Sequence, residues 1–164
     1  MLKNSPTHYG KVARALHWLT ALLFLLAYVA VYYRQWFTEA RTPENWTALQ
    51  LHLSFGVTIA VLVVLRLYWR LTNVQPAAEP GSALIQKAAH LGHLVLYGVL
   101  IVMPLTGYLG TGVATEFFFL FEIPKFADTW LFQRLVADGM GLSFEQFEAP
   151  MDFIHKQGGA YLVW

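Results

Sequence analysis

No cysteine occurs among the 164 residues. That excludes disulfides, thiolate metal centres, iron–sulfur clusters and thioether-linked cofactors. Charge is also scarce. Asp, Glu, Lys and Arg make up 13% of the chain, where a soluble domain carries about 25%, so too few charges remain to cover a water-facing surface. The net charge of +1 leaves no basic excess for a nucleic-acid partner. What is present is apolar: 57% hydrophobic and 16% aromatic residues, with a mean hydropathy of +0.46. A disordered chain lacks that much apolar surface. The composition implies one compact membrane-embedded unit, with no internal repeat and no low-complexity tract.

Four hydrophobic segments organise the chain into an all-α, four-helix integral membrane bundle over residues 1–164. A spanning helix needs about 20 mostly apolar residues. The first segment, about 15–33, follows Lys3, Lys11 and Arg14. It is longer than the roughly 7–15 residue core of a signal peptide. It leaves the membrane through Tyr32, Tyr33, Trp36 and Phe37, an aromatic belt at the interface, and so reads as a retained helix. The second, about 47–70, ends at Arg66, Tyr68, Trp69 and Arg70. The third, about 84–110, contains Pro104, which membrane helices tolerate when neighbours satisfy the freed carbonyl. The fourth, about 152–164, has only 12 residues from Phe153 to Trp164. At 1.5 Å per residue that is about 18 Å against a hydrocarbon core of about 30 Å. The expectation is a fourth helix truncated in this chain, with the native polypeptide continuing for about 10 residues or more. Residues 111–151 form a long outer loop, in which Phe117–Phe121 is too short to span and is expected in the interface or over the bundle mouth.

Lys and Arg set the orientation. The N-terminal tail and the 66–87 connection share Lys3, Lys11, Arg14, Arg66, Arg70 and Lys87, against the single acid Glu79. The opposite side holds Arg34, Arg41, Lys125 and Arg134 and nearly all the acids. The N-terminus is therefore expected in the cytoplasm and the 111–151 loop outside, in a multi-pass membrane protein.

The histidines are the candidate chemistry. His8 lies in the tail and reads as a solvated residue. The other five fall near helix ends at two depths. His17, His90 and His93 occupy the cytoplasmic level, His52 and His155 the outer level. Ionisable side chains inside a membrane face the bundle interior and carry function. Histidines contributed by different helices at one depth can ligate a metal between them. Three readings stay open on the residues alone: single histidines bonded across helices, a zinc site, which needs three or four ligands, or haem iron, which needs one or two axial ligands and an apolar slot. Gly56, Gly92, Gly98, Gly158 and Gly159 could make room for a porphyrin, although small residues in membranes more often serve close helix packing. Arg14, Arg66, Arg70 and Lys87 offer cations for carboxylates, or simple positive-inside anchoring. Tyr32, Tyr33, Trp36 and Trp69 read as interface anchors.

The chain resembles the prokaryotic cytochrome b561 family. The resemblance rests on "ARALHW" at 13–18, "LQLHLSFGVTIAVLVVLRLYWRL" at 49–71, "AAHLGHLVLYGVLIVMPLTGYLG" at 88–110 and "FIHKQGGAYLVW" at 153–164, in that order. It implies a membrane cytochrome with two non-covalent haem b groups. Its ligand positions match His17, His52 and His155. A fourth ligand, on the inner side of the last helix, would lie about four turns beyond His155, past Trp164. Failing that, His90 or His93 would take its place; these two otherwise line the inner haem or a quinone pocket. The implied activity is one-electron oxidation of an outer, periplasmic donor, superoxide or a redox partner, with ubiquinone as the acceptor. Irons at the two levels would stand about 20 Å apart, from about 14 residues of helical rise. The rival expectation is a haem-containing anchor subunit that docks a soluble dehydrogenase and has no substrate of its own; the acidic outer loop at 116–152 would serve as a lid or as the docking face.

Overall fold

The structure, a computed structural model, describes residues 1–77 and 80–161. Glu79 and residues 162–164, the end of the fourth apolar segment, lie outside the described residues.

Three helices, α1 (Lys11–Phe37), α2 (Pro43–Thr72) and α3 (Ala83–Leu109), are long and apolar enough to cross a membrane. Each outruns its apolar stretch. Helices of 27, 30 and 27 residues measure about 40–45 Å at 1.5 Å per residue, so their ends reach the headgroup region. The first turn of α1 has no side-chain cap. Its free N–H groups are met by the chain itself: Lys11 donates to the Met1 carbonyl at 3.1 Å and Val12 to that of Leu2 at 3.4 Å. This fold-back requires Gly10, because a Cβ there would run into the Leu2 and Lys3 carbonyls. Side-chain capping starts the other two helices. Thr42 accepts from the Asn45 N–H at 3.3 Å, with Pro43 in the first position of α2, and Ser82 accepts from the Ile85 N–H at 3.4 Å.

The core joins Leu23 and Ala27 of α1 to Ile59, Leu62 and Val63 of α2, flanked by Phe24, Phe55 and Leu100. Other large apolar side chains, among them Leu22, Val29, Val61, Val64, Leu94 and Val95, point outward and are exposed. Such a surface suits lipid and would be a liability in water. At the end that carries the N-terminus, the tail is tied to the connection after α2. Asn4 Nδ2 donates to the Val74 carbonyl at 2.9 Å, and the Ala77 N–H donates to the Pro6 carbonyl at 2.9 Å. The tail and the α2–α3 connection thus share one end of the molecule.

The 111–151 segment folds over the other end. Its first part is a hairpin of β1 (Thr115–Phe117) and β2 (Phe121–Ile123), paired antiparallel with Glu116 opposite Glu122. The aromatic run expected in the interface or over the mouth is this hairpin, and it is held on α2. Gln50 and Ser54, both fully buried, supply the hold. Gln50 Oε1 accepts from the Glu116 N–H at 2.7 Å, and Gln50 Nε2 donates to the Ala114 carbonyl at 3.2 Å. Ser54 Oγ accepts from the Phe118 N–H at 2.9 Å. The clamp keeps Phe118 and Phe119 in the left-handed region, at φ 46° and 61°, where bulky side chains are strained.

A 3₁₀ turn η1 (Phe126–Asp128), a π-helical stretch η2 (Phe132–Ala137) and a short α4 (Asp138–Met140) follow. Phe126, Phe132, Phe144 and Phe147 form an aromatic cluster over Tyr108. The last helix, α5 (Phe144–Tyr161), starts about two turns earlier than the apolar run places it. Its start is a reciprocal cap. Ser143 Oγ accepts from the Gln146 N–H at 3.3 Å, and Gln146 Oε1 accepts from the Ser143 N–H at 2.9 Å. α5 packs on α3, and Tyr28 of α1 donates to its Gly159 carbonyl at 3.0 Å.

Candidate functional site

At the hairpin end, α2 and α5 bring two histidines face to edge. The rings of His52 and His155 lie 6.0 Å apart between centroids, at an interplanar angle of 77°. Each is fixed from behind. His52 Nδ1 is 2.9 Å from the Ala27 carbonyl of α1, and His155 Nδ1 is 2.9 Å from the Met103 carbonyl of α3. A carbonyl only accepts, so Nδ1 carries the proton in both rings and Nε2 keeps its lone pair. This is the orientation a metal-ligating imidazole adopts when a backbone carbonyl anchors its other nitrogen. A glycine makes room for the arrangement: a Cβ on Gly107 would stand 2.8 Å from His155 Cε1. The two histidines and their two anchoring carbonyls come from four different helices, α2, α5, α1 and α3, so the pair exists only in the assembled fold.

At the tail end lies a cavity of about 650 Å³ between α1, α2 and α3. Arg14 and His17 of α1, Arg66, Trp69 and Arg70 of α2 and His93 and Tyr97 of α3 reach its wall. Arg66 Nη2 approaches His17 Nδ1 at 3.5 Å, and the Arg70 guanidinium lies 5.3 Å above the Tyr97 ring. Among the described residues, no acid lines the cavity and none of these arginines forms an ion pair. An apolar slot with unpaired guanidinium groups and two imidazoles, His17 and His93, suits a flat hydrophobic group that carries carboxylates. The residues present therefore fit haem b at both levels. They do not fit zinc: among the described residues no three His, Asp or Glu converge.

The two levels are separated along α1 by the ten residues from His17 to Ala27, about 15 Å of helical rise. His90 and Lys87, expected near the inner level, are exposed on α3 and do not line the cavity, whereas His93 does. Trp69, expected as an interface anchor, lines the cavity. Gly158 serves helix packing, since a Cβ there would meet Met103 Sδ at 2.7 Å. Gly56, Gly92 and Gly98 have nothing within 4 Å of the Cβ position. Gly107 was not singled out from sequence; no spacing rule marks it, because its partner lies on another helix.

The family model for prokaryotic cytochrome b561 matches residues 8–164. The chain belongs to that family. It is accordingly a bacterial multi-pass membrane cytochrome, a haem protein of electron transport. It is 33% identical to cytochrome b561 homolog 2 of Escherichia coli (strain K12) over 132 residues, which cover 74% of this chain and 66% of that protein. It is 31% identical over 100 residues to the probable superoxide oxidase CybB of Yersinia pestis, across 60% of this chain and 55% of that protein. With cytochrome b561 homolog 1 of Escherichia coli (strain K12) it shares 30% over 100 residues, 60% and 56% of the two chains. The matches span between about half and two thirds of these relatives' lengths.

Proposed function

We propose that this cytochrome passes electrons across the bacterial inner membrane, from a periplasmic donor to ubiquinone, through two haem b groups. His52 and His155 hold the outer one; His17 holds the inner one, at the cavity that carries Arg14 and Arg66. The bundle has four helices, with α5 as the fourth, the N-terminal tail in the cytoplasm and the hairpin outside. The observation that carries the reading is the His52–His155 pair, 6.0 Å apart with both Nδ1 atoms anchored on carbonyls.

Haem, when bound, supplies a one-electron carrier at each level. The rest is the work of the chain. The anchored Nδ1–H groups of His52 and His155 hold these two imidazoles in the ligating tautomer and raise their basicity. Carbonyls of α1 and α3 fix the two rings, which are half-buried among the helices. The guanidinium groups at the tail end neutralise carboxylates there. Superoxide is the favoured outer donor, by analogy with the name of the Yersinia pestis relative.

The purified protein should show the Soret and α bands of a b-type cytochrome, and superoxide should reduce it. His52→Ala should lower the haem content by one group per chain while the protein remains inserted, and His17→Ala should remove the other. A haem content that survives both changes would overturn the assignment.

A further inference from the structure

Among the described residues, one buried side-chain polar atom has no hydrogen-bond partner: Nε1 of Trp69. An indole N–H only donates, and leaving such a donor buried and unpaired is unfavourable. The same indole forms part of the wall of the tail-end cavity, beside Arg66 and Arg70 of its own helix and across from Arg14 and His17. Tyr68, one residue away, is 64% exposed, whereas Trp69 is half-buried. The register of α2 turns Tyr68 outward and Trp69 toward the cavity, so the unpaired donor belongs to the pocket and not to the lipid interface.

The charges around it favour an anionic acceptor. Three guanidinium groups reach the wall of this cavity and, among the described residues, none pairs with an acid. A neutral carbonyl would not call for them; a carboxylate would. We propose that Trp69 is a positioning residue of the inner cofactor pocket, donating its indole N–H to a haem carboxylate that Arg66 or Arg14 pairs with. The proposal rests on the reading that haem b occupies this cavity with His17 as ligand. A hydrogen bond to a charged group at this site fixes which way round the porphyrin sits, which a ring of mobile arginines alone would leave loose.

The test uses the haem-loaded protein in detergent. Trp69→Phe keeps the ring and removes the donor; Trp69→His restores a ring N–H. Resonance Raman spectra of the propionate bending modes and the rate of haem transfer to an apo-haem acceptor report on the contact directly. Trp69→Phe should shift the propionate band of one haem. It should also speed the loss of that haem about 10- to 100-fold, the value of one hydrogen bond to a charged group, and Trp69→His should recover most of both effects. An unchanged propionate band and transfer rate in Trp69→Phe would overturn the proposal. So would a change confined to the KM for ubiquinone, which would make the donor's partner a quinone oxygen. His17→Ala separates this outcome from failure of the underlying reading: if that change leaves both haems in place, haem does not occupy the cavity, whatever Trp69 does.

Discussion

The His155 imidazole rests on the Cα of Gly107, and that contact decides where its ring can sit. A methyl group there would meet His155 Cε1 at 2.8 Å, and the ring cannot yield without breaking the Nδ1–H bond to the Met103 carbonyl. Gly107→Ala should therefore cost about 1–3 kcal/mol, as overpacking does, and should strip or weaken the outer haem in the absorption spectrum. Gly158→Ala offers the contrast. Its Cβ would meet Met103 Sδ, the end of a flexible side chain that can move aside, so haem content should stay within experimental error of the parent protein. At this scale the sequence was informative about donors and silent about contacts. His17, His52 and His155 stand out because imidazoles are costly in an apolar segment. Gly107, the Ala27 and Met103 carbonyls and the inward turn of Trp69 depend on neighbours from other helices. An aromatic next to an arginine at a helix end looks the same whether it faces lipid or a cavity.

Among the elements, the three long helices were legible as uninterrupted apolar runs, while the segment after α3 was not. Its hairpin has no strand-length alternation and no glycine at the turn; Phe118 and Phe119 take the left-handed positions instead. What holds them is Gln50 and Ser54 on α2, polar residues one turn apart that look like minor blemishes in an apolar helix. The start of α5 was readable in principle: Ser143 and Gln146 have the spacing of a capping box, but the acids and Pro150 that follow hide the helix from a hydropathy reading. Gln50→Leu would leave the Glu116 N–H and the Ala114 carbonyl without their partners. Each buried unpaired group costs about 1–3 kcal/mol, so the hairpin should detach before the helices unfold. Limited proteolysis should cut within 111–125 in Gln50→Leu at protease levels that leave the parent protein intact. Ser143→Ala should be milder, about 1 kcal/mol, with cleavage shifted to the start of α5.

For the molecule as a whole, the question is which end meets the cytoplasm. Basic residues gather at the end where the tail lies, and the hydrogen bonds from Asn4 to Val74 and from Ala77 to Pro6 join the tail to the α2–α3 connection. The two segments therefore cannot be on opposite sides of the bilayer, and one measurement orients both. The acidic hairpin and the segment after it lie at the other end, the one that holds the His52–His155 pair. In the proposed orientation, which follows the positive-inside rule, the tail lies in the cytoplasm; the paired histidines would then stand near a periplasmic donor and the arginine-lined cavity near the inner leaflet. The chain has no cysteine, so single introduced thiols report topology without background. Pro80 and Gly112 are exposed, and nothing stands within 4 Å of the Cβ position at Gly112. In right-side-out vesicles, Gly112→Cys should react with a membrane-impermeant maleimide, and Pro80→Cys should react only after the membrane is opened. Labelling of Pro80→Cys from outside, with Gly112→Cys protected, would invert the protein. The donor would then have to approach from the cytoplasm, and the arginine-lined cavity would face the periplasm.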